Sequence, residues 1–357
     1  MKINKLLLTA LAGSLFFVSC NNDDDATPDV PQGAYDNGVL VLNQGGFNIG
    51  NASVSYISDA FALQNNIFAA NNPGATLGDT GQDLGLNGDY AYIVLNNSNK
   101  IEVVNRYTFT RIATIEDGLI NPRYITFYNN KGYVTNWGDG LSTTDDYVAV
   151  IDLATNAVTA TIPVAEGPER IIEENGKLYV SHYGGFGIGN SVTVINAATN
   201  SVQTTIVTGD APKFMVVEDN VLYILSEGSP SWAGAETAGE LQKVNLATNL
   251  VIATIDFPQG SHPSNLVEED DTLYYTVDSG IYTLSPQATA LPAAPVFTTT
   301  PQGAYGIYSF DVEDNNIYIG DAGNYSENGK VYIYSLTGTL QNSYTVGVIP
   351  AGFYFND

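Results

Sequence analysis

A short strand centred on tyrosine recurs six times along the chain. It reads Tyr92-Ile93-Val94, Tyr133-Val134-Thr135-Asn136, Leu178-Tyr179-Val180-Ser181, Leu222-Tyr223-Ile224, Leu273-Tyr274-Tyr275 and Ile317-Tyr318-Ile319. The tyrosines are spaced by 41, 46, 44, 51 and 44 residues. Val39-Leu40-Val41-Leu42-Asn43 is a seventh copy without the tyrosine. A period of this size is too short for a domain. Each copy must be one supersecondary unit that completes its core only against its neighbours.

The rest of the unit is equally regular. After each tyrosine strand come a loop and an alternating strand such as Val148-Ala149-Val150-Ile151-Asp152 or Val192-Thr193-Val194-Ile195-Asn196. A turn of one type follows, Ala154-Thr155-Asn156, Ala198-Thr199-Asn200 or Ala247-Thr248-Asn249, and then a Thr/Val/Ile-rich strand such as residues 158–164. Asn in such turns tolerates the positive φ of a tight hairpin. Period-two alternation with β-branched residues makes the chain all-β and antiparallel. A further strand precedes each tyrosine strand and often opens on proline, at Pro122, Pro168, Pro212 and Pro263. The last such strand, Pro350-Ala351-Gly352-Phe353-Tyr354-Phe355, has no tyrosine strand after it, and the copy at Val39 has no proline strand before it. The two defects complement each other. The C-terminal strand is therefore expected to become the inner strand of the first unit and close a ring without free inner edges. The fold expected is a seven-bladed β-propeller of four-stranded antiparallel blades over residues 36–357.

The run Tyr133-Val134-Thr135-Asn136 resembles the repeat of the YVTN-type β-propeller family, and the other copies are variants of it. The resemblance spans nearly all of residues 36–357. It implies the propeller and says little about function, because loops on a shared scaffold set the activity.

The start of the chain is of another kind. Lys2 and Lys5 precede an apolar stretch from Leu6 to Val18, which is too short to span a bilayer and suits a secretory signal. It ends in Val18-Ser19-Cys20, which resembles the lipobox of bacterial lipoproteins, where the cysteine becomes the lipidated first residue. The acidic run Asn21-Asn22-Asp23-Asp24-Asp25 resembles the export signal that carries Bacteroidota lipoproteins to the outside of the outer membrane. The organisation expected is a signal peptide at 1–19, a lipidated Cys20 with an acidic tether at 20–35, and the propeller. The plain alternative for the acidic run is a solvated spacer. With 12 Lys+Arg against 38 Asp+Glu, the formal charge is -26. Such a surface argues against nucleic acid as a partner. The single cysteine excludes a disulfide framework or a multi-cysteine metal site.

In a propeller, the loops after the second strand and those leading into the inner strand share one face, the usual place for a ligand. Two of the former are nearly the same sequence 139 residues apart, Gly45-Gly46-Phe47-Asn48-Ile49-Gly50-Asn51 and Gly184-Gly185-Phe186-Gly187-Ile188-Gly189-Asn190. They belong to blades one and four, nearly opposite across the mouth. Phe47, Ile49, Phe186 and Ile188 are candidates for ligand contact, with capping of the blade ends as the alternative. Trp137, Tyr183, Trp232 and Tyr325 fall in comparable loops and would give large contact area at small entropic cost. The scarce cations gather where chains turn into inner strands: Arg123, Arg170 and Lys213, with His262 beside Pro263. They suit a carboxylate or phosphate of a ligand, or structural pairing with acids such as Glu169.

No zinc-binding helix, phosphate loop or nucleophile elbow is present, and no cofactor or metal is implied. The acidic loop Asp139-Gly140 with Asp145-Asp146 departs from calcium-loop spacing. The expectation is a binding protein and not an enzyme. Signal, tether and repeat together resemble the surface lipoproteins of Bacteroidota that capture cobalamin for a TonB-dependent outer-membrane transporter. That resemblance implies a large corrinoid-like ligand. A surface adhesin or glycan- or protein-binding scaffold is the second reading, and a metal-dependent propeller hydrolase the third.

Overall fold

The computed structural model describes residues 32–356. Cys20 and the signal and acidic segments expected before residue 32 lie outside the described residues. Seven four-stranded antiparallel sheets follow one another in the chain, the strands of each running from the inside of the ring outward. The inner strands of blades two to seven are Gly81–Asn87, Pro122–Tyr128, Pro168–Glu174, Pro212–Glu218, Ser264–Glu269 and Ser309–Glu313. Blade one takes its inner strand, Pro350–Phe355, from the end of the chain, where it pairs antiparallel with Gly38–Asn43. Each inner strand contacts the next, and Pro350–Phe355 meets both Ser309–Glu313 and Gly81–Asn87, so the ring is closed. Seven blades and the closing strand lie within one compact unit beginning at Gln32.

Two repeated sequence features turn out to be halves of one joint. The Tyr133 hydroxyl donates to the carbonyl of Ala197 and lies 3.2 Å from Asn200 Oδ1, both in the next blade's turn. The Tyr179 hydroxyl reaches Asn249 Oδ1 of blade five, and the Tyr223 hydroxyl reaches the Pro286 carbonyl of blade six. Buried hydroxyls need partners, and here the partner is the neighbouring blade's outer hairpin. Asn156, Asn200 and Asn249 all have φ between 52 and 55°, the left-handed conformation for which asparagine suits these turns. Burial in these joints pushes the Tyr133 and Tyr179 phenols up to about 12.

Blade one is less regular. Its outer strand is only Leu63–Gln64, followed by a five-residue helix, Ile67–Asn71, whose Ile67 and Phe68 fill the core between blades one and two. Tyr35 packs edge-on against Tyr56 and Phe109 in the same core, so packed residues begin one position ahead of the boundary read from sequence.

The inner strands of blades two to six are bulged at the same place, just after their first residue. In blade three the ladder steps from Pro122 opposite Asn136 to Ile125 opposite Val134, so Arg123 and Tyr124 face the single residue Thr135. In blade four Glu169 and Arg170 face Ser181 in the same way. Lys213 is the extra residue in blade five, Asn265 in blade six and Gln82 in blade two. A bulge leaves ladder groups unpaired and re-aims side chains. Hydroxyls repair the ladder: Tyr124 N–H donates to Thr135 Oγ1 at 3.0 Å and Arg170 N–H to Ser181 Oγ at 3.2 Å. Thr135 in turn donates to the Glu169 carbonyl of blade four. The threonine of the repeat is thus a strut that holds the bulge and ties adjacent inner strands.

Candidate ligand-binding mouth

The bulges deliver Arg123, Tyr124, Glu169, Arg170 and Lys213 to an open cavity of about 1040 Å³ that occupies the channel and its loop-side mouth. Phe47, Trp137, Phe186 and Tyr308 add rings from blades one, three, four and seven. Phe47 is 66% exposed and Phe186 81% exposed. Phe186 lies edge-on to Trp137 at 6.0 Å, and Trp137 is fixed from behind by its indole N–H donating to the Pro168 carbonyl.

Of the twelve candidates read from sequence, Phe47, Trp137, Phe186, Arg123, Arg170 and Lys213 line this cavity. The other six sit around it. Tyr183 places its ring 5.3 Å from the Lys213 ammonium, behind the wall. Tyr325 stacks edge-on between Tyr305 and Tyr308 and reaches the cavity only through Tyr308. His262 bonds the Glu227 carbonyl through Nδ1 and stands 3.4 Å from Glu236 through Nε2. Ile49 and Ile188 point out from their loops, and Trp232 is 86% exposed on a short 3-10 turn, Ser231–Ala233.

The three cations differ in what they meet. Arg123 makes a bidentate pair with the buried Glu169, Nε to Oε2 at 2.9 Å and the terminal nitrogen to Oε1 at 2.7 Å, while its guanidinium lies 4.2 Å from the Trp137 ring. Burial works against that charge, but Glu169 first, with Tyr124 and Tyr308, more than offsets it, so the Arg123 pKa stands above its ordinary value. Lys213 pairs with Glu227 at 3.5 Å. Glu227 also accepts the hydroxyl of Ser264. Arg170 has no ion pair among the described residues. Its guanidinium is held between the rings of Tyr124 at 4.7 Å and Phe214 at 4.8 Å.

Residues that carried no motif complete the lining. Tyr308 donates its hydroxyl to Gln44 across the junction of blades seven and one. Asp83 accepts from Ile125 N–H at 2.9 Å and from the Tyr354 hydroxyl at 3.0 Å, and desolvation raises its pKa. Asp311, bonded to Val312 N–H, is pushed by burial up to about 7. Tyr308, Asp83 and Asp311 belong to blades whose inner strands lack an opening proline, the mark by which the other inner strands are read. A count of 7 to 10 residues back from Tyr92 and Tyr318 would have found them.

The acidic loop of blade three is taken up by backbone donors: Asp145 accepts Asp139 N–H of the same loop, and Asp146 accepts Gly167 N–H of the connection into blade four. Burial raises Asp146 to about 6. Among the described residues, one group of acids is close enough to share a cation, Glu218, Asp219 and Asp271, on the hairpins at the opposite end of the strands from the mouth.

Residues 37–356 match the model of a domain of unknown function, DUF5074. The chain belongs to this family. No curated protein matches it. Its fold is similar to a quinoprotein alcohol dehydrogenase-like protein from Bacteroides thetaiotaomicron, with 15% identity, TM-score 0.65, 88% of this chain and 79% of that one covered. A functionally unknown protein from Desulfotomaculum acetoxidans is similar at 12% identity and TM-score 0.64, covering 89% and 98%. The computationally designed protein Ika8 is similar at 12% identity and TM-score 0.58, covering 91% and 92%. At such identities these likenesses concern the fold alone.

Proposed function

We propose that this member of the DUF5074 family captures a large ligand at the loop-side mouth of its propeller. The observation that carries this reading is the mouth itself: a cavity of about 1040 Å³, with exposed phenylalanines from blades one and four facing it from nearly opposite sides. That volume stands at the upper end of what small-molecule sites offer, about 300–1,000 Å³. Rings on two sides with polar groups between them suit a broad, partly planar molecule bearing amide or acidic substituents. A corrinoid such as cobalamin has that character, and the lipoprotein-like start of the chain supports the same reading. In this account Cys20 anchors the protein to the outer membrane facing outward, and the ligand passes to a TonB-dependent transporter. The role is binding and delivery, not catalysis.

Isothermal calorimetry on residues 21–357 with cyanocobalamin, cobinamide and haem tests it. Saturable binding, weakened about tenfold or more by Phe47→Ala or Phe186→Ala, is expected. Binding indifferent to both substitutions would move the site elsewhere, and no heat with any of the three would remove cofactor capture. A surface adhesin is the second reading, favoured by Trp232 and Leu141, which are exposed outside the cavity. A glycan array read with Trp232→Ala as control separates it.

A further inference from the structure

We propose that Arg170 is an oxyanion subsite inside the mouth, which takes a carboxylate or phosphate group of the ligand. The proposal rests on the mouth being a ligand site and names the chemistry of one part of what it holds. All N–H donors of a guanidinium lie in its plane. Tyr124 and Phe214, level with Arg170 in the blades on either side, bring their ring centres to 4.7 and 4.8 Å from the guanidinium carbon, so rings and not acids flank it. Its Nε is buried without a hydrogen-bond partner, and its side chain lines the cavity.

The protein's own acids do not satisfy this fork. Glu169 is engaged by Arg123 and Glu227 by Lys213. Across the channel, the oxygens of Asp83 accept from Ile125 and Tyr354, and Asp311 accepts from Val312. No carboxylate forms an ion pair with Arg170 among the described residues. Asp83 and Asp311 also hold their protons more tightly than ordinary carboxyls, so they compensate the guanidinium less than fully ionised acids would. A planar fork whose donors have no hydrogen-bond partner among the described residues matches two oxygens of an oxyanion, and Arg is the residue suited to that geometry. The rings on either side fix the fork in advance, which lowers the entropy lost on binding.

The chain has two tryptophans, so Trp232→Phe leaves Trp137 as the reporter, in the same cavity as Arg170. Fluorescence titration of residues 21–357 carrying that substitution, with inorganic phosphate and with benzoate, reads the subsite without the large ligand. Saturable binding is expected for at least one probe, and which one separates a phosphate-type from a carboxylate-type group. Arg170→Gln should weaken it about tenfold or more. Arg170→Lys keeps the charge without the fork and should weaken it severalfold, and it carries the test if Arg170→Gln melts early by circular dichroism. No saturation by either probe up to about 50 mM would overturn the proposal. So would equal binding by wild type and the Arg170 variants. If large ligands bind while both small anions fail, the capture reading stands and the subsite falls. If the anions bind through Arg170 while no large ligand binds, the reverse holds.

Discussion

Arg123 and Arg170 occupy the same bulge in adjacent blades, and a single step in sequence separates their fates. Arg123 directly follows its proline, and so does Glu169, so the two reach the channel at matching heights and pair. Arg170 is one residue further on, level with Tyr124 and Phe214, and its neighbours are rings. The first cation holds two blades together. The second has donors left for something else. A basic residue in a propeller channel therefore acquires its role from its position within the bulge, not from its presence.

The two glycine-rich loops teach a similar lesson. Their sequences are nearly identical, yet Ile49 N–H bonds the Gly46 carbonyl in one, while Gly187 N–H bonds the Gly184 carbonyl in the other. The turns are one residue out of step. Gly45 and Gly184 both take positive φ, but beyond them it falls on Asn48 and Gly50 in the first loop and on Gly185 in the second. Both still present phenylalanine to the mouth, but only Phe186 has a ring partner, Trp137.

The contrast between the arginines can be broken most sharply at Glu169. Glu169→Gln strands the part-buried Arg123 charge and should cost about 3–5 kcal/mol in urea unfolding. Arg170→Gln leaves no acid unpaired and should cost nearer 1 kcal/mol, the loss of its ring contacts. Equal costs would contradict the division of roles.

The strut is next in size. Thr135→Val removes a hydroxyl that serves both Tyr124 N–H and the Glu169 carbonyl, and should destabilise by about 1–3 kcal/mol. A neutral result would mean that the bulge holds its own shape.

Asp311 gives a pH sign. Its folded-state carboxyl titrates at about 7, well above the ordinary value, with Arg170, Glu313 and Glu269 as its charged neighbours. The folded protein keeps a proton that the unfolded chain releases from pH ~4, so wild-type stability falls as pH rises from ~4 to ~7. Asp311→Asn lacks that penalty. Its melting temperature should match wild type near pH ~4 and exceed it by about 2–4 °C at pH ~8. A variant less stable than wild type at pH ~8 would show that the charge is stabilised in place.

The propeller is legible because its repeat is a packing requirement. Tyrosine strand, Ala-Thr-Asn turn and proline strand recur because each blade needs the same joints with the next, and the missing halves at the two ends specify the closing strand. The mouth is only partly legible. Loop aromatics and the cations beside prolines are visible in sequence, but pairing depends on height within a bulge, which spacing from the proline hints at and only geometry fixes. Asp83 and Asp311 lie on unmarked strands, Tyr308 sits just before one of them, and Tyr183 and His262 are turned behind the wall by contacts with blade five.

The central claim is that the loop-side mouth, and not the acidic hairpin face, holds the ligand. A crystal structure of residues 21–357 soaked with cyanocobalamin tests it most directly. Density between Phe47 and Phe186, with an acidic group at the Arg170 fork, is the result expected. Density on the hairpins around Glu218 and Asp271, or an empty mouth at saturating ligand, would contradict it.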